Sequence, residues 1–312
     1  MIRDFQRKDS RAYFRLLTEN FPEEEKVLGM RPEVFERIVR RLYRWDLRLL
    51  LGLARAFGRP LFRLFVIDEG GAVAASTILT FSGPTGYLSS VVVDVPFRRR
   101  GLARRLIMVC REATRKTGRK FVALDVLVGN GPARTLYERE GFQPIREQIF
   151  WVHEHPVDLS STGESAVGNF RLFRSSDAKA IAAIATARNP REVNTVLPVT
   201  ARTFTPPKLI DSALLTHGLA WVLTDQDRPV AYIRASVSQA MDAGHLSDPI
   251  FAPEVDPVRA AAFVAFAGRW VAREGARRVA TSVPVDNTAG SSALAAGGFH
   301  EAFRSFTLFR TA

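Results

Sequence analysis

A single cysteine, Cys110, stands in 312 residues. No disulfide can form within such a chain, which excludes a secreted scaffold held together by cross-links. Lysine is nearly as scarce, with 6 against 38 arginines. No apolar run approaches the roughly 18–20 residues that a helix needs to cross a bilayer. The start, Met1-Ile2-Arg3-Asp4-Phe5, alternates like a strand and lacks a secretory apolar core. These absences predict a cytoplasmic protein. The five histidines show no ligand spacing, and His153-x-His155 reads as the surface end of a strand, so no metal is expected. Basic and aromatic residues are not interleaved as a nucleic-acid code requires, so that partner is not expected either.

What is present is enough chain for two domains, each able to bury a core. The charge is lopsided. Of the net +12, residues 1–156 hold +10 (28 Lys and Arg against 18 Asp and Glu) and residues 157–312 only +2. An excess of that sign attracts anionic ligands and repels polycations.

The basic half contains the most informative stretch, Arg98-Arg99-Arg100-Gly101-Leu102-Ala103. Before it runs Tyr87-Leu88-Ser89-Ser90-Val91-Val92-Val93, a β-branched run that reads as a buried strand. After it, Leu102, Leu106, Ile107, Val109 and Cys110 recur at helical spacing up to Thr117. A strand turning through a glycine loop into a helix offers unpaired backbone N–H groups and a positive dipole end to a phosphate. Downstream, Phe121–Val128 reads as a second buried strand, ending at Gly129-Asn130-Gly131-Pro132. There Asn130 suits an N-cap, Pro132 the first helical turn and Gly141 the stop.

Strand, R-x-x-G-x-A, helix, strand, N-x-x-A-x-x-L-Y-x-x-x-G-F resembles the GCN5-related N-acetyltransferase (GNAT) superfamily over about residues 1–150, with the sharp motifs inside 86–142. The resemblance implies an acetyl-CoA-dependent enzyme that acetylates a primary amine on a small molecule or peptide. The loop Arg98, Arg99, Arg100, Gly101, Leu102, Ala103 and Arg104 would hold the pyrophosphate. The backbone of Val91, Val92 and Val93 would pair with the pantetheine arm and polarise the thioester, and Asn130 would contact that arm. Tyr137 matches the tyrosine that protonates the leaving thiolate. Asp125 stands where many relatives carry a glutamate base, with Asp94 and the run Glu23-Glu24-Glu25 as fallbacks. One departure is the loop's proline, which is Pro96 behind Val95 and so displaced by one position.

The chain also repeats itself. Gly86-Tyr-Leu-Ser-Ser is echoed by Gly244-His-Leu-Ser-Asp, and Asn130…Gly141-Phe142 by Asn287…Gly298-Phe299. The expected fold is therefore α/β (α+β): two tandem GNAT-fold domains, each a mixed, mostly antiparallel sheet flanked by helices. The expected division is 1–154 catalytic, 155–167 a polar linker, and 168–312 a degenerate copy. In that copy Val255, Val258 and Ala260 replace Arg98, Gly101 and Ala103, and Leu294 replaces Tyr137. Its helix 259–274 is apolar nearly all round, which predicts burial on more than one side. Residues 33–61 read as one or two amphipathic helices, within a span from Arg31 to Arg63 that carries nine arginines and three acids; the readings are a solvated basic face over an apolar packing stripe, a lid for an anionic or amphiphilic acceptor, or a membrane-surface helix. The alternative function is a non-catalytic acyl-CoA sensor or scaffold. Acceptor identity, acyl length and oligomerisation stay open at this level.

Overall fold

The computed structural model describes residues 1–21, 29, 32–43, 49, 52–53, 60–156, 159, 169–204, 215–239 and 241–312. Glu23-Glu24-Glu25, most of the stretch read as a linker, and much of 44–59 lie outside the described residues. The chain forms two compact units that are not contiguous in sequence. Unit 1 takes Met1–Glu25, Pro32–Ile145 and Phe306–Ala312; unit 2 takes Lys26–Arg31 and Arg146–Ser305.

In unit 1, β1 (Ile2–Asp4), β2 (Phe62–Glu69), β3 (Ala72–Ser82) and β4 (Thr85–Val93) pair antiparallel in that order. β5 (Phe121–Leu127) joins β4 in parallel, which requires a crossover. The helix α3 (Leu102–Lys116) supplies it, after α1 (Ser10–Asn20) and α2 (Pro32–Leu42). α4 (Gly131–Arg139) follows β5. The strands are apolar on both faces because both faces are covered. Phe65 and Ile67 of β2 join the cluster under α3 with Leu106, Ile107 and Cys110, whereas Val66 joins Leu16 of α1 on the other side. The last strand of the chain lies beside β5 and contributes Leu308 to the α3 cluster.

Unit 2 repeats the series: β7 (Phe170–Leu172), α5 (Ala178–Arg188), α6 (Arg191–Val196), β8 (Thr216–Asp225), β9 (Arg228–Ser238), β10 (Ala243–Leu246), β11 (Ile250–Phe251), α7 (Pro257–Arg273), β12 (Arg278–Pro284), α8 (Thr288–Ala296) and residues 300–305 of β13 (His300–Thr311), whose remainder lies in unit 1. β7, β8, β9 and β10 are antiparallel neighbours, β12 pairs parallel with β10, and residues 148–153 of β6 (Gln143–His153) pair antiparallel with β12. The second apolar side of α7 is covered inside the unit, by Ala293 and Leu294 of α8 and by Leu159, against which Gly268 packs.

Two local devices mark the repeat physically. Arg3 donates to both oxygens of Asp9 at 2.6 and 3.0 Å, and Arg171 does the same to Asp177 at 2.7 and 2.8 Å. The backbone N–H groups of Gln6 and Arg174 complete the two arrangements, each at 2.7 Å. The glycines that open the echoed segments have one cause. A Cβ on Gly86 would collide with Thr114 of α3, and a Cβ on Gly244 with Val271 of α7, so each crossover helix packs directly on strand backbone.

Candidate active site

β4 and β5 are ladder partners only from Thr85–Leu88 against Phe121–Leu124. Beyond that pairing the strands part. The register of β4 against β3 shifts between Ser76 and Ile78, where Ser90 and Val91 oppose Thr77 alone. Ser90 takes a positive φ of 52°. An inserted residue of this kind bends and twists its strand, and here it turns β4 away from β5. Val91, Val92 and Val93 therefore have β3 on one edge and, among the described residues, no ladder partner on the other. Val91 and Val93 pack their side chains on the α3 cluster, and Val92 is buried on the α1 side.

The chain leaves β4 through a 3-10 turn, Val95–Phe97, and enters α3 by way of Arg99 (φ 64°) and Gly101 (φ 73°). Gly101 is the N-cap of α3, and no side chain caps that end. The first intrahelical bond runs from the Arg105 N–H to the Gly101 carbonyl, so the N–H groups of Leu102, Ala103 and Arg104 precede it. A Cβ on Gly101 would meet nothing within 4 Å. Open space in front of orphan N–H groups at the positive end of a 15-residue helix fits a phosphate ester.

The loop's arginines have different duties. Arg98 is a brace: its Nε donates to the Val93 carbonyl at 3.2 Å and its guanidinium to Asn20 at 2.5 Å. Arg100 lies over the Phe97 ring at 5.3 Å, and Arg104 pairs with Glu140 at 2.8 Å. Arg99 is exposed and has no ion partner among the described residues. Asp94 is buried and paired with Arg15 at 2.7 Å, which gives that carboxylate a structural task.

Asn130 caps α4, its side chain accepting from the Ala133 N–H at 3.2 Å. Tyr137, on the inner face of α4, is buried in the cluster that also receives Leu102, Val91 and Val93, with its ring edge-on to Phe142 at 5.9 Å. Burial raises its phenol to about 12. Thus the loop, the free edge of β4 and Tyr137 converge on one side of the sheet. Asp125 does not join them. Val122, Leu124 and Val126 face the α3 cluster, so period-two alternation puts Asp125 on the opposite face, where it is exposed. It sits one residue past the last β4 partner, Leu124, at the mouth of the divergence. Thr307, buried on the last strand, donates to its Oδ1 at 2.7 Å.

The second copy closes the corresponding place. Asp256 caps α7 and accepts from the N–H groups of Val258 and Arg259 at 2.9 and 3.2 Å, while Pro257 has no N–H to offer. A built-in carboxylate takes the donors that α3 leaves open. Asp-Pro before a helix is a legible cap signal in the sequence, whereas Thr307 stands 182 residues from its partner and gives no local signal. Among the described residues, no group of three His, Cys, Asp or Glu side chains stands ready for a metal, and no helix is long and apolar enough to cross a membrane.

Residues 12–142 match the sequence profile of the acetyltransferase (GNAT) family. The GNAT from Sphaerobacter thermophilus superposes with a TM-score of 0.66 at 18% identity, over 100% of this chain and 95% of that one. A tandem GNAT protein from the clavulanic acid biosynthesis pathway, solved without AcCoA, gives 0.58 at 18% identity, over 80% and 82%. At that identity the likeness is one of fold. No curated protein matches the sequence.

Proposed function

We propose, for a chain whose residues 12–142 form a domain of the GNAT acetyltransferase family, that unit 1 transfers an acetyl group from acetyl-CoA directly to a primary amine and that unit 2 does not catalyse. The observation that carries this reading is the contrast between two helix N-termini, one open at Gly101 and one filled by Asp256.

Acetyl-CoA supplies an acyl group activated as a thioester. In unit 1 the N–H groups of Leu102, Ala103 and Arg104 receive its pyrophosphate, with Arg99 adding a salt-sensitive attraction. The free edge of β4 at Val91, Val92 and Val93 holds the pantetheine arm as an added strand and directs backbone N–H groups at the thioester oxygen, where negative charge develops. Asn130 keeps the start of α4 in place beside that arm. Asp125 takes the proton of the attacking amine from the opposite face. Tyr137 returns a proton to the sulfur, and its raised pKa keeps the phenol protonated until the thiolate needs it. The acceptor is a small-molecule or peptide amine, and the setting is the cytoplasm, where the buried thiol of Cys110, raised to about 12, stays protonated and unreactive.

Thiol release from acetyl-CoA is measured with a panel holding a peptide N-terminus, a peptide lysine, free amino acids and an aminoglycoside. The expected result is turnover on at least one amine, with kcat lowered about 100-fold in Tyr137→Phe at little change in KM for acetyl-CoA. Turnover by that variant at the wild-type rate would remove Tyr137 from the mechanism.

A further inference from the structure

The last strand of the chain meets both of the groups assigned to proton transfer. Its residues alternate. Leu308 is fully buried in the cluster around Tyr137, and Phe306 packs there too. Thr307 and Phe309 face the other way, Thr307 onto Asp125 and Phe309 onto Phe121 at 6.1 Å. The strand is pinned at both ends of this stretch. Arg134 lies over the Phe306 ring at 4.8 Å, Arg310 donates to the Glu140 carbonyl, and the Ala312 N–H donates to the Lys120 carbonyl at 2.9 Å. A threonine with no exposed surface, on a strand held this firmly, aims its hydroxyl in one direction.

We infer that Thr307 is a positioning residue for Asp125, supplied by the far end of the chain. This rests on the proposed role of Asp125 as the base. Asp125 is exposed on β5 where β4 departs, and a base one methylene shorter than glutamate depends on its orientation to reach an amine. The hydroxyl, donating to Oδ1 at 2.7 Å, fixes the orientation in which the carboxylate addresses the amine.

The test uses the full chain, with Thr307→Val as the isosteric loss of the hydroxyl, Thr307→Ser as its restoration, and Asp125→Asn as reference. In [13C]aspartate-labelled protein at neutral pH, the Asp125 carboxyl resonance, assigned by its absence in Asp125→Asn, is expected to move in Thr307→Val and to hold in Thr307→Ser. With the amine that wild type acetylates in the panel, Thr307→Val is expected to lose about tenfold in kcat with KM for acetyl-CoA within about twofold, and Thr307→Ser to stay within about twofold of wild type. A resonance unmoved in Thr307→Val, or wild-type kcat in that variant while Asp125→Asn is inactive, overturns the inference alone. Wild-type kcat in Asp125→Asn overturns the base assignment and the inference with it.

Discussion

The two candidate catalytic side chains divide their work by environment. Tyr137 is buried, and its burial keeps the proton on; Asp125 is exposed at the strand divergence, where the proposed reaction brings the amine. Other carboxylates are spent on structure. Asp177 accepts from Arg171, which outweighs the opposing effect of burial, and from the Arg174 N–H, so its pKa lies below the ordinary carboxylate value. A group depressed in the folded state contributes stability that is present above its unfolded pKa, near 4, and is lost as pH falls through the folded value. Asp177→Asn is therefore expected to cost about 2–3 kcal/mol at pH 7. In urea melts at descending pH, the gap to wild type should close below about pH 4. A gap that stays constant down to pH 2 would contradict this assignment.

At the scale of elements, the crossover helices matter most, because each sets both the packing of its strand and the state of its own N-terminus. Gly86 lets α3 lie against β4, which holds the loop at Gly101 over the divergence. Gly86→Ala would force a shift in a filled contact, an overpacking worth about 1–3 kcal/mol, and should weaken acetyl-CoA binding as α3 is displaced. A denaturant melt and a binding titration on that variant check both effects; unchanged values in both would show that the helix has slack there. Much at this scale was legible in the sequence. The helix read at 102–117 spans Leu102–Lys116, the strand read at 121–128 spans Phe121–Leu127, and Asn130 and Asn287 cap the two short helices with the same side-chain bond. Periodicity and cap chemistry are local, and so they survive without a structure. The bulge at Ser90 was not legible, because a register shift depends on the partner strand. Nor was the bracing of Arg98 on Asn20, which joins residues 78 apart.

At the scale of the molecule, the halves were legible as a repeat, yet the units are not the halves. Residues 146–153 belong to unit 2, and Phe306–Ala312 to unit 1 beside β5. Sequence patterning cannot reveal such an exchange, since a buried strand reads the same whichever sheet receives it. The stretch that bears Thr307 and Leu308 thus follows the second copy in sequence but belongs to unit 1. This exchange stands beside the proposed division of labour between a helix end that no side chain caps, at Gly101, and one capped by Asp256.

That division is tested most directly by calorimetric titration of acetyl-CoA into wild type and Gly101→Glu. The account expects one equivalent bound per wild-type chain, and none in the variant, where a carboxylate is brought to the open end of α3 as Asp256 is to α7. Two equivalents in wild type, or binding that persists in Gly101→Glu, would contradict it and place a cofactor site in unit 2.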